Sequence, residues 1–152
     1  MKLKLAVCDD DAAQRDYLTD IVTAWGKKNR HLIELKQYVS ADSFLFDYEE
    51  EKDFDILLLD VEMPGKSGVE LAKEIRKDNQ AAQLIFITGF YEYFSDGFDV
   101  SALHYLIKPA DAAKLTPVKL ITRTDVTMTN GAVVPLSRGV YHDIHAALVK
   151  YL

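Results

Sequence analysis

Three short runs of the chain, residues 5–8, 56–59 and 84–87, are apolar at every position instead of alternating between apolar and polar. Continuous apolar runs of this length are typical of strands that are buried on both faces of a parallel sheet. The same pattern predicts two further strands, at residues 32–39 and at residues 102–107, the second of which is stopped by Pro109. We therefore expect five strands.

Apolar residues recur at helical spacing between these strands. They predict a helix that ends at a Gly26-Lys27-Lys28 stop, a helix at residues 41–48 with Ser40 as its N-cap, and a third helix after Gly68. The alternation β-α-β-α-β-α-β-α-β is typical of an α/β fold, in which a five-stranded, doubly wound parallel sheet carries helices on both faces. Ligands of such folds bind beyond the C-terminal ends of the strands.

The character of the chain changes after residue 111. Residues 118–128 and 132–136 are rich in β-branched side chains and are joined through Asn130-Gly131, which is a strong signal for a type I′ hairpin. Residues 141–152 place apolar side chains on one face and predict an amphipathic terminal helix. We assign residues 1–115 to one α/β domain and residues 116–152 to a β-hairpin plus helix.

The charge is distributed unevenly over the 152 residues. Residues 1–111 carry 13 Lys and Arg against 22 Asp and Glu, a net −9, whereas residues 112–152 carry 5 against 2, a net +3. The acidic body argues against a protein devoted to nucleic acid, because phosphate neutralisation needs clustered cations. A single cysteine, and the lack of an apolar run of about 18 residues, predict a cytoplasmic protein without membrane association.

Polar side chains stand at the predicted strand ends. Asp9, Asp10 and Asp60 would place several negative charges in one cleft, which is unfavourable unless a cation such as Mg²⁺ neutralises them. Lys108 would offer a fixed positive charge, and Thr88 a hydroxyl donor, to an anionic oxygen. The set predicts a site for a phosphoryl group with Mg²⁺, in which Asp60 is the nucleophile that forms an acyl phosphate.

These residues lie in four segments that resemble the receiver domain of bacterial response regulators. The segments are Cys8-Asp9-Asp10-Asp11, Asp55-Ile-Leu-Leu-Leu-Asp60-Val-Glu-Met-Pro64-Gly65-Lys-Ser-Gly68, Phe86-Ile87-Thr88-Gly89 and Tyr105-Leu106-Ile107-Lys108-Pro109. The resemblance covers residues 1 to about 111, and it implies a flavodoxin-like fold and a two-component phosphorelay protein whose partner is a histidine kinase. Such a protein is a signalling protein and not an enzyme, its reactions being limited to self-phosphorylation and autodephosphorylation.

The resemblance also implies a role for each site residue. Asp60 would be the phosphoacceptor, Thr88 and Lys108 would contact the phosphoryl oxygens, and the Lys108-Pro109 bond would be cis. Four residues would complete the site: Asp10 as a Mg²⁺ ligand beside Asp60, Glu62 through its backbone carbonyl, Asp9 mainly through metal-bound water, and Tyr105 as the aromatic switch. Glu62 and Gly89 flank the phosphoryl group and would tune its lifetime.

The C-terminal segment resembles the last hairpin and terminal helix of a LytTR-type DNA-binding domain. The match runs over residues 125–138 and 141–152, while the linker and the preceding part of such a domain are missing, and Pro117 limits the fifth receiver helix to residues 111–115. Arg138 is the candidate DNA contact. The terminal helix would take the place of the shortened helix, either on its own receiver or exchanged with a second copy in a homodimer.

Several alternatives compete with this interpretation. A LytTR-class regulator that binds DNA through its C-terminal segment is the main one, although a net charge of +3 would neutralise few phosphates. A hydrolase of the haloacid dehalogenase kind would need a second aspartate where Glu62 stands, and a mononucleotide binder would need a less acidic first loop. Asp9, Asp10 and Asp11 could simply cap the first helix, and Tyr105 could be a packing residue.

Overall fold

The computed structural model describes residues 1–90, 92, 99–110, 125–127 and 133–135. The chain divides into two compact units, Met1–Ala112 and Ala113–Leu152. None of the helices in the described ranges combines the length and the apolar character that a membrane span requires.

The first unit contains a five-stranded parallel sheet in the order β2-β1-β3-β4-β5. This order confirms the predicted flavodoxin-like, doubly wound fold. The strands are β1 Lys2–Cys8, β2 Leu32–Tyr38, β3 Ile56–Leu59, β4 Gln83–Thr88 and β5 His104–Ile107, and the helices between them are α1 Ala12–Lys28, α2 Ala41–Glu50 and α3 Gly68–Asp78.

The central strands are buried on both faces, as their continuous apolar runs predict. Every residue of β3 and β4 is buried. On one face, Phe44 of α2 and Ile75 of α3 join a core with Leu57, Leu59 and other strand residues, all of them less than 9 % exposed. The alternate strand residues point to the opposite face, which α1 covers with side chains such as Leu18.

Helix α1 ends at Lys28, within the predicted Gly26-Lys27-Lys28 stop, and Gly26 itself lies inside the helix. A Cβ at Gly26 would lie 2.3 Å from Cγ1 of Ile33 on β2. The glycine therefore lets the helix pack closely against the sheet, and it does not end the helix. The end comes three residues later, where the backbone N–H of Asn29 donates to carbonyls of the last turn.

The second and third helices begin at side-chain caps. Ser40 is the N-cap of α2, as predicted, and forms a capping box with Ser43. Ser67 and Glu70 form the corresponding box at α3. A cap of this kind contributes about 1 kcal/mol and fixes where the chain enters the helix.

Other predicted elements are only partly within the described ranges. The helix expected between β4 and β5 falls mostly on residues outside the described ranges. The short helix predicted at residues 111–115 also falls outside the described ranges. Strand β5 begins at His104, two residues later than predicted. In the second unit, β6 Asp125–Thr127 pairs antiparallel with β7 Val133–Pro135, in agreement with the predicted hairpin. The turn at Asn130, Arg138 and the helix at residues 141–152 lie outside the described residues.

Candidate functional site

The C-terminal ends of four neighbouring strands converge at one edge of the sheet. Asp9 follows β1, Asp60 follows β3, Thr88 ends β4 and Lys108 follows β5. Two backbone hydrogen bonds fix adjacent ends to each other: Asp60 N–H donates to the Cys8 carbonyl at 2.8 Å, and Lys108 N–H donates to the Thr88 carbonyl at 2.8 Å. Residues far apart in the sequence are thereby brought into one site, as the strand-end rule predicts.

Lys108 lies between two buried carboxylates. Its Nζ is 2.7 Å from Oδ2 of Asp60 and 2.8 Å from Oδ2 of Asp9. Burial alone would lower the pKa of Lys108, but the hydrogen bonds to Asp60 and Asp9 outweigh burial and raise it. The ammonium group therefore stays charged and neutralises part of the acidic cluster.

Asp9 is held at both its backbone and its side chain. Its N–H donates to the Tyr38 carbonyl at 3.1 Å, and its Oδ1 accepts from the Asp11 N–H at 2.9 Å. Burial raises the pKa of the Asp9 carboxyl, and the hydrogen bond from Lys108 opposes that rise. The buried carboxylate thus depends on nearby positive charge to remain ionised.

Three carboxylates are close enough to share one cation. Single oxygen atoms of Asp9, Asp10 and Asp60 lie within 4.8 Å of one another, with Asp9 and Asp60 buried and Asp10 exposed. Hard divalent cations such as Mg²⁺ prefer such an all-oxygen set and keep several waters. The donor set fits the Mg²⁺ expected from the sequence, because one exposed acid leaves access for water and substrate.

Thr88 contributes a buried hydroxyl group. The residue is fully buried, and its Oγ1 has no hydrogen-bond partner among the described residues. A buried hydroxyl without a partner is uncommon because it costs about 1–3 kcal/mol. At the adjacent Gly89, no described atom outside the glycine and its two chain neighbours lies within 4 Å of the position that a Cβ would occupy. Since no described residue pairs with it, the Thr88 hydroxyl can donate to an incoming oxygen.

Glu62 lies where the loop after β3 turns away from Asp60. Its backbone N–H donates to Oδ1 of Asp60 at 3.3 Å. The residue also lines a cleft of about 380 Å³ whose wall is formed by Asp10, Val61, Glu62, Met63, Pro64 and Ser67. The cleft gives a small molecule access to the acidic cluster from the side of Asp10.

Tyr105 connects β5 with the segment after β4. Its hydroxyl donates to the backbone carbonyl of Phe90 at 2.5 Å, and its ring lies 6.0 Å from that of Phe86. Phe90 is two residues beyond Thr88 in the chain. Tyr105 thus contacts the segment that a movement of Thr88 would displace.

Two further expectations concern helix capping by the consecutive aspartates and the peptide bond before Pro109. Of the three consecutive aspartates, Asp11 is the N-cap of α1 and accepts from two helix N–H groups, so helix capping explains one of the three. The peptide bond between Lys108 and Pro109 is cis, as the resemblance implies.

Arg15 contacts the site, although no pattern in the sequence indicates it. Its guanidinium donates to the backbone carbonyl of Asp9 at 2.7 Å from the second turn of α1. No motif marks this contact, because it depends on how α1 lies against the loop after β1. The only signal available is its position four residues after the N-cap Asp11.

Comparisons with known proteins agree with this geometry. The model of the response regulator receiver domain family matches residues 5–118. The sensory transduction protein LytT of Bacillus subtilis (strain 168) is 29% identical over 113 residues, which are 74% of this chain and 45% of LytT. The transcriptional regulatory protein NatR of the same organism is 28% identical over 144 residues, 92% of this chain and 59% of NatR.

A solved structure is similar over the same region. The response regulator protein TrrA from Thermotoga maritima, in complex with Mg²⁺ and BeF, has a TM-score of 0.64 and 29% sequence identity, covering 75% of this chain and 93% of that one. The chain spans only about half the length of the curated relatives it matches.

Proposed function

The chain belongs to the response regulator receiver domain family, and on this premise we propose that Asp60 accepts a phosphoryl group from a histidine kinase. The family consists of phosphoacceptor signalling domains that interact with histidine kinases and bind Mg²⁺ at an acidic pocket. The observation that carries the assignment to Asp60 is the contact of its carboxylate with Lys108, which also contacts Asp9. The hydroxyl of Thr88, at the end of the neighbouring strand, has no hydrogen-bond partner within the described part of the chain.

The proposed reaction is a transfer between two nucleophiles. An oxygen of the Asp60 carboxylate forms a bond to phosphorus, and the bond between phosphorus and the imidazole nitrogen of the phosphohistidine breaks. The imidazole leaves with the electron pair of that bond and takes up a proton. Lys108 and Thr88 would bind the phosphoryl oxygens, on which negative charge is spread during the transfer.

The carboxylates of Asp10 and Asp60 and the backbone carbonyl of Glu62 would hold the Mg²⁺ ion, with Asp9 acting through bound water. Bound Mg²⁺ would offset the negative charge of the phosphoryl oxygens and of the acceptor. Before the phosphodonor binds, Lys108 holds the Asp60 carboxylate in place and is itself held by Asp9. The Mg²⁺–BeF complex of TrrA, which is 29% identical to this chain, supports this assignment.

Thr88 and Tyr105 would convert phosphorylation into a change of shape. When the Thr88 hydroxyl turns to a phosphoryl oxygen, the residues that follow it move with it, and the Tyr105 hydrogen bond to Phe90 lies directly on that path. The surface around β5 and the segment before it would be the output surface. The partner that reads this surface would differ from the kinase.

The test is the Mg²⁺-dependent uptake of phosphate from a small phosphodonor, read by intact mass. We expect one phosphoryl group in the wild type and none in Asp60→Asn, while the control Asp20→Asn, an exposed acid of α1, is phosphorylated like the wild type. Uptake that is undiminished in Asp60→Asn would refute the assignment. A native gel of the same samples would show whether phosphorylation produces a homodimer, including one formed by exchange of residues 116–152.

We infer that residues 116–152 are the remnant of a LytTR-type output domain that retains little or no sequence-specific DNA binding. The antiparallel pairing of β6 with β7 and the 144-residue match to NatR support this origin. The net charge of +3 over residues 112–152 would neutralise only a few phosphates, and Arg138 is the one candidate contact. A sequence-selective, steeply salt-dependent gel shift with this chain would favour the alternative, a functional DNA-binding regulator.

A further inference from the structure

Gly68 opens helix α3 and lies directly against the backbone of Asp60. A Cβ at this position would be 1.9 Å from the carbonyl oxygen of Asp60, 2.9 Å from its carbonyl carbon and 3.1 Å from Cα of Val61. All three atoms belong to the backbone, so no side chain can rotate away to make room. Any residue larger than glycine must therefore displace either α3 or the segment that carries Asp60.

Neither backbone freedom nor helix propensity accounts for this glycine. The φ angle of Gly68 lies outside the left-handed region, in contrast to Gly65, whose φ is +81°. Glycine is also the poorest helix former after proline, by about 1 kcal/mol relative to alanine in a helix interior. The close approach of the two backbones is the property of Gly68 that an alanine could not reproduce.

The contact joins two segments that have little room to move. Helix α3 is fixed by the Ser67 capping box and by five buried residues: Gly68, Val69, Leu71, Ala72 and Ile75. The Gly68 N–H donates to the Val61 carbonyl at 2.9 Å, and on the other side the Asp60 N–H donates to Cys8 of β1 at 2.8 Å. The Asp60 peptide is thus held between the central strand and the start of α3.

We propose that Gly68 is a positioning residue for the phosphoacceptor: its missing side chain sets the position of the Asp60 backbone and hence that of the reactive carboxylate. The inference rests on the proposed function. A methyl group at 68 needs a displacement of at least 1.1 Å, the difference between 1.9 Å and the 3.0 Å below which such contacts are essentially never seen. Because both segments are packed, the displacement changes the distance between the Asp60 backbone and α3, and we expect the carboxylate to leave its 2.7 Å contact with Lys108.

The test is Gly68→Ala, with phosphate uptake from a small phosphodonor followed over time by intact mass at a series of Mg²⁺ concentrations. A misplacement of about 1 Å can reduce a reaction rate about 100-fold. We expect a reduction of about that size in rate per folded molecule, together with a higher Mg²⁺ concentration at half-maximal rate, because Asp60 is both acceptor and ligand. If the role of Gly68 were purely structural, Gly68→Ala would lower the folded fraction. It would then change neither the rate per folded molecule nor the Mg²⁺ concentration at half-maximal rate.

Gly26→Ala is the matched control. It adds the same methyl group in a helix, 2.3 Å from the side chain of Ile33, but 15 residues or about 22 Å along α1 from Asp11 at the site. We expect this variant to lose stability while its rate per folded molecule and its Mg²⁺ midpoint stay at wild-type values. The folded fraction of each variant is read from the fluorescence of the single tryptophan, Trp25, in α1.

The experiment remains decisive if Gly68→Ala folds poorly. Trimethylamine N-oxide favours the folded state of such variants, so all rates are then measured in its presence and normalised to the folded fraction. A wild-type rate and Mg²⁺ midpoint in Gly68→Ala, when the wild type is phosphorylated normally, overturn this inference alone. A wild-type protein that takes up no phosphate overturns the proposed function and this inference with it.

Discussion

The contact of Lys108 with two buried carboxylates makes the unphosphorylated protein sensitive to the loss of one positive charge. In Lys108→Met the carboxylates of Asp9 and Asp60, which are 1 % and 8 % exposed at the side chain, lose the ammonium that lies 2.7–2.8 Å from them. Removing one partner of a buried ion pair costs about 3–5 kcal/mol. The Lys108 side chain is 20 % exposed, so we expect the lower end, a loss of about 3 kcal/mol at neutral pH.

The pH dependence of this loss separates electrostatics from packing. Burial already raises the pKa of Asp9, and removing the opposing hydrogen bond from Lys108 raises it further. An acid whose pKa is higher in the folded than in the unfolded state costs stability in full above its folded-state pKa, and this cost declines as the pH falls from that value to the unfolded-state pKa. The stability gap between wild type and Lys108→Met should therefore narrow as the pH is lowered from neutral towards the ordinary pKa of an aspartate.

Added Mg²⁺ should narrow the stability gap between the wild type and Lys108→Met. A cation that binds only the native state stabilises it by an amount that grows with the logarithm of its concentration relative to Kd, and in Lys108→Met no ammonium competes with it for the carboxylates. We expect added Mg²⁺ to stabilise the variant more than the wild type, although Lys108→Met should take up phosphate more slowly because a contact to the phosphoryl oxygens is lost.

The assay is chemical unfolding followed by the fluorescence of Trp25, which reports on the unit that contains the site. Lys73→Met is the matched control, because Lys73 is an exposed residue of α3 and the same change there should stay within about 0.5 kcal/mol of the wild type. The electrostatic interpretation fails if Lys108→Met is as stable as Lys73→Met. It also fails if the gap is independent of pH and Mg²⁺.

Three further predictions concern the side chains of Thr88, Cys8 and Arg76. Thr88→Val removes a buried hydroxyl with which no described residue pairs, so it should stabilise the unphosphorylated protein by about 1 kcal/mol in urea unfolding while slowing phosphate uptake at least tenfold; a loss of stability would contradict this. Burial raises the pKa of the Cys8 thiol to about 12, so iodoacetamide at neutral pH should alkylate it only after unfolding, and rapid modification of the native protein by mass spectrometry would show the reverse. The Arg76 guanidinium donates to four backbone carbonyls, two of them at Val100 and Ser101, so Arg76→Met should cost about 2 kcal/mol, and an unchanged unfolding midpoint would count against it.

The strands and the site could be predicted because they depend on rules that act over short stretches of sequence. A run such as residues 56–59 is typical of a strand buried on both faces of a covered parallel sheet, and this placement brings Asp60 to the same edge as Asp9 and Lys108. The N-cap at Ser40 has an equally local signal, whereas the cis bond before Pro109 is expected from the family resemblance.

Contacts between separate elements could not be predicted in this way. Gly26 is expected only as part of the stop of α1, and its close packing against Ile33 on β2 has no signal in the sequence. Arg15 and Arg76 bind backbone carbonyls, which every residue possesses, so nothing in the sequence indicates which carbonyl each will find. The same holds for the hydroxyl of Thr88, because the lack of a partner is a property of the whole neighbourhood.

The charge balance of the site explains why Lys108 is paired with two acids in the resting protein while no described residue pairs with the Thr88 hydroxyl. Three carboxylates and one ammonium give a formal charge of −2 (three negative, one positive), which one divalent cation would cancel. In the proposed reaction the Asp60 carboxylate loses its own charge, but the phosphoryl group brings two, so one further negative charge must be stabilised. Lys108 is already shared between two acids, whereas no described residue pairs with the Thr88 hydroxyl, at a cost of about 1–3 kcal/mol to the resting protein. A valine would avoid that cost, so the hydroxyl is of use only in a state in which an additional anionic oxygen lies within its reach.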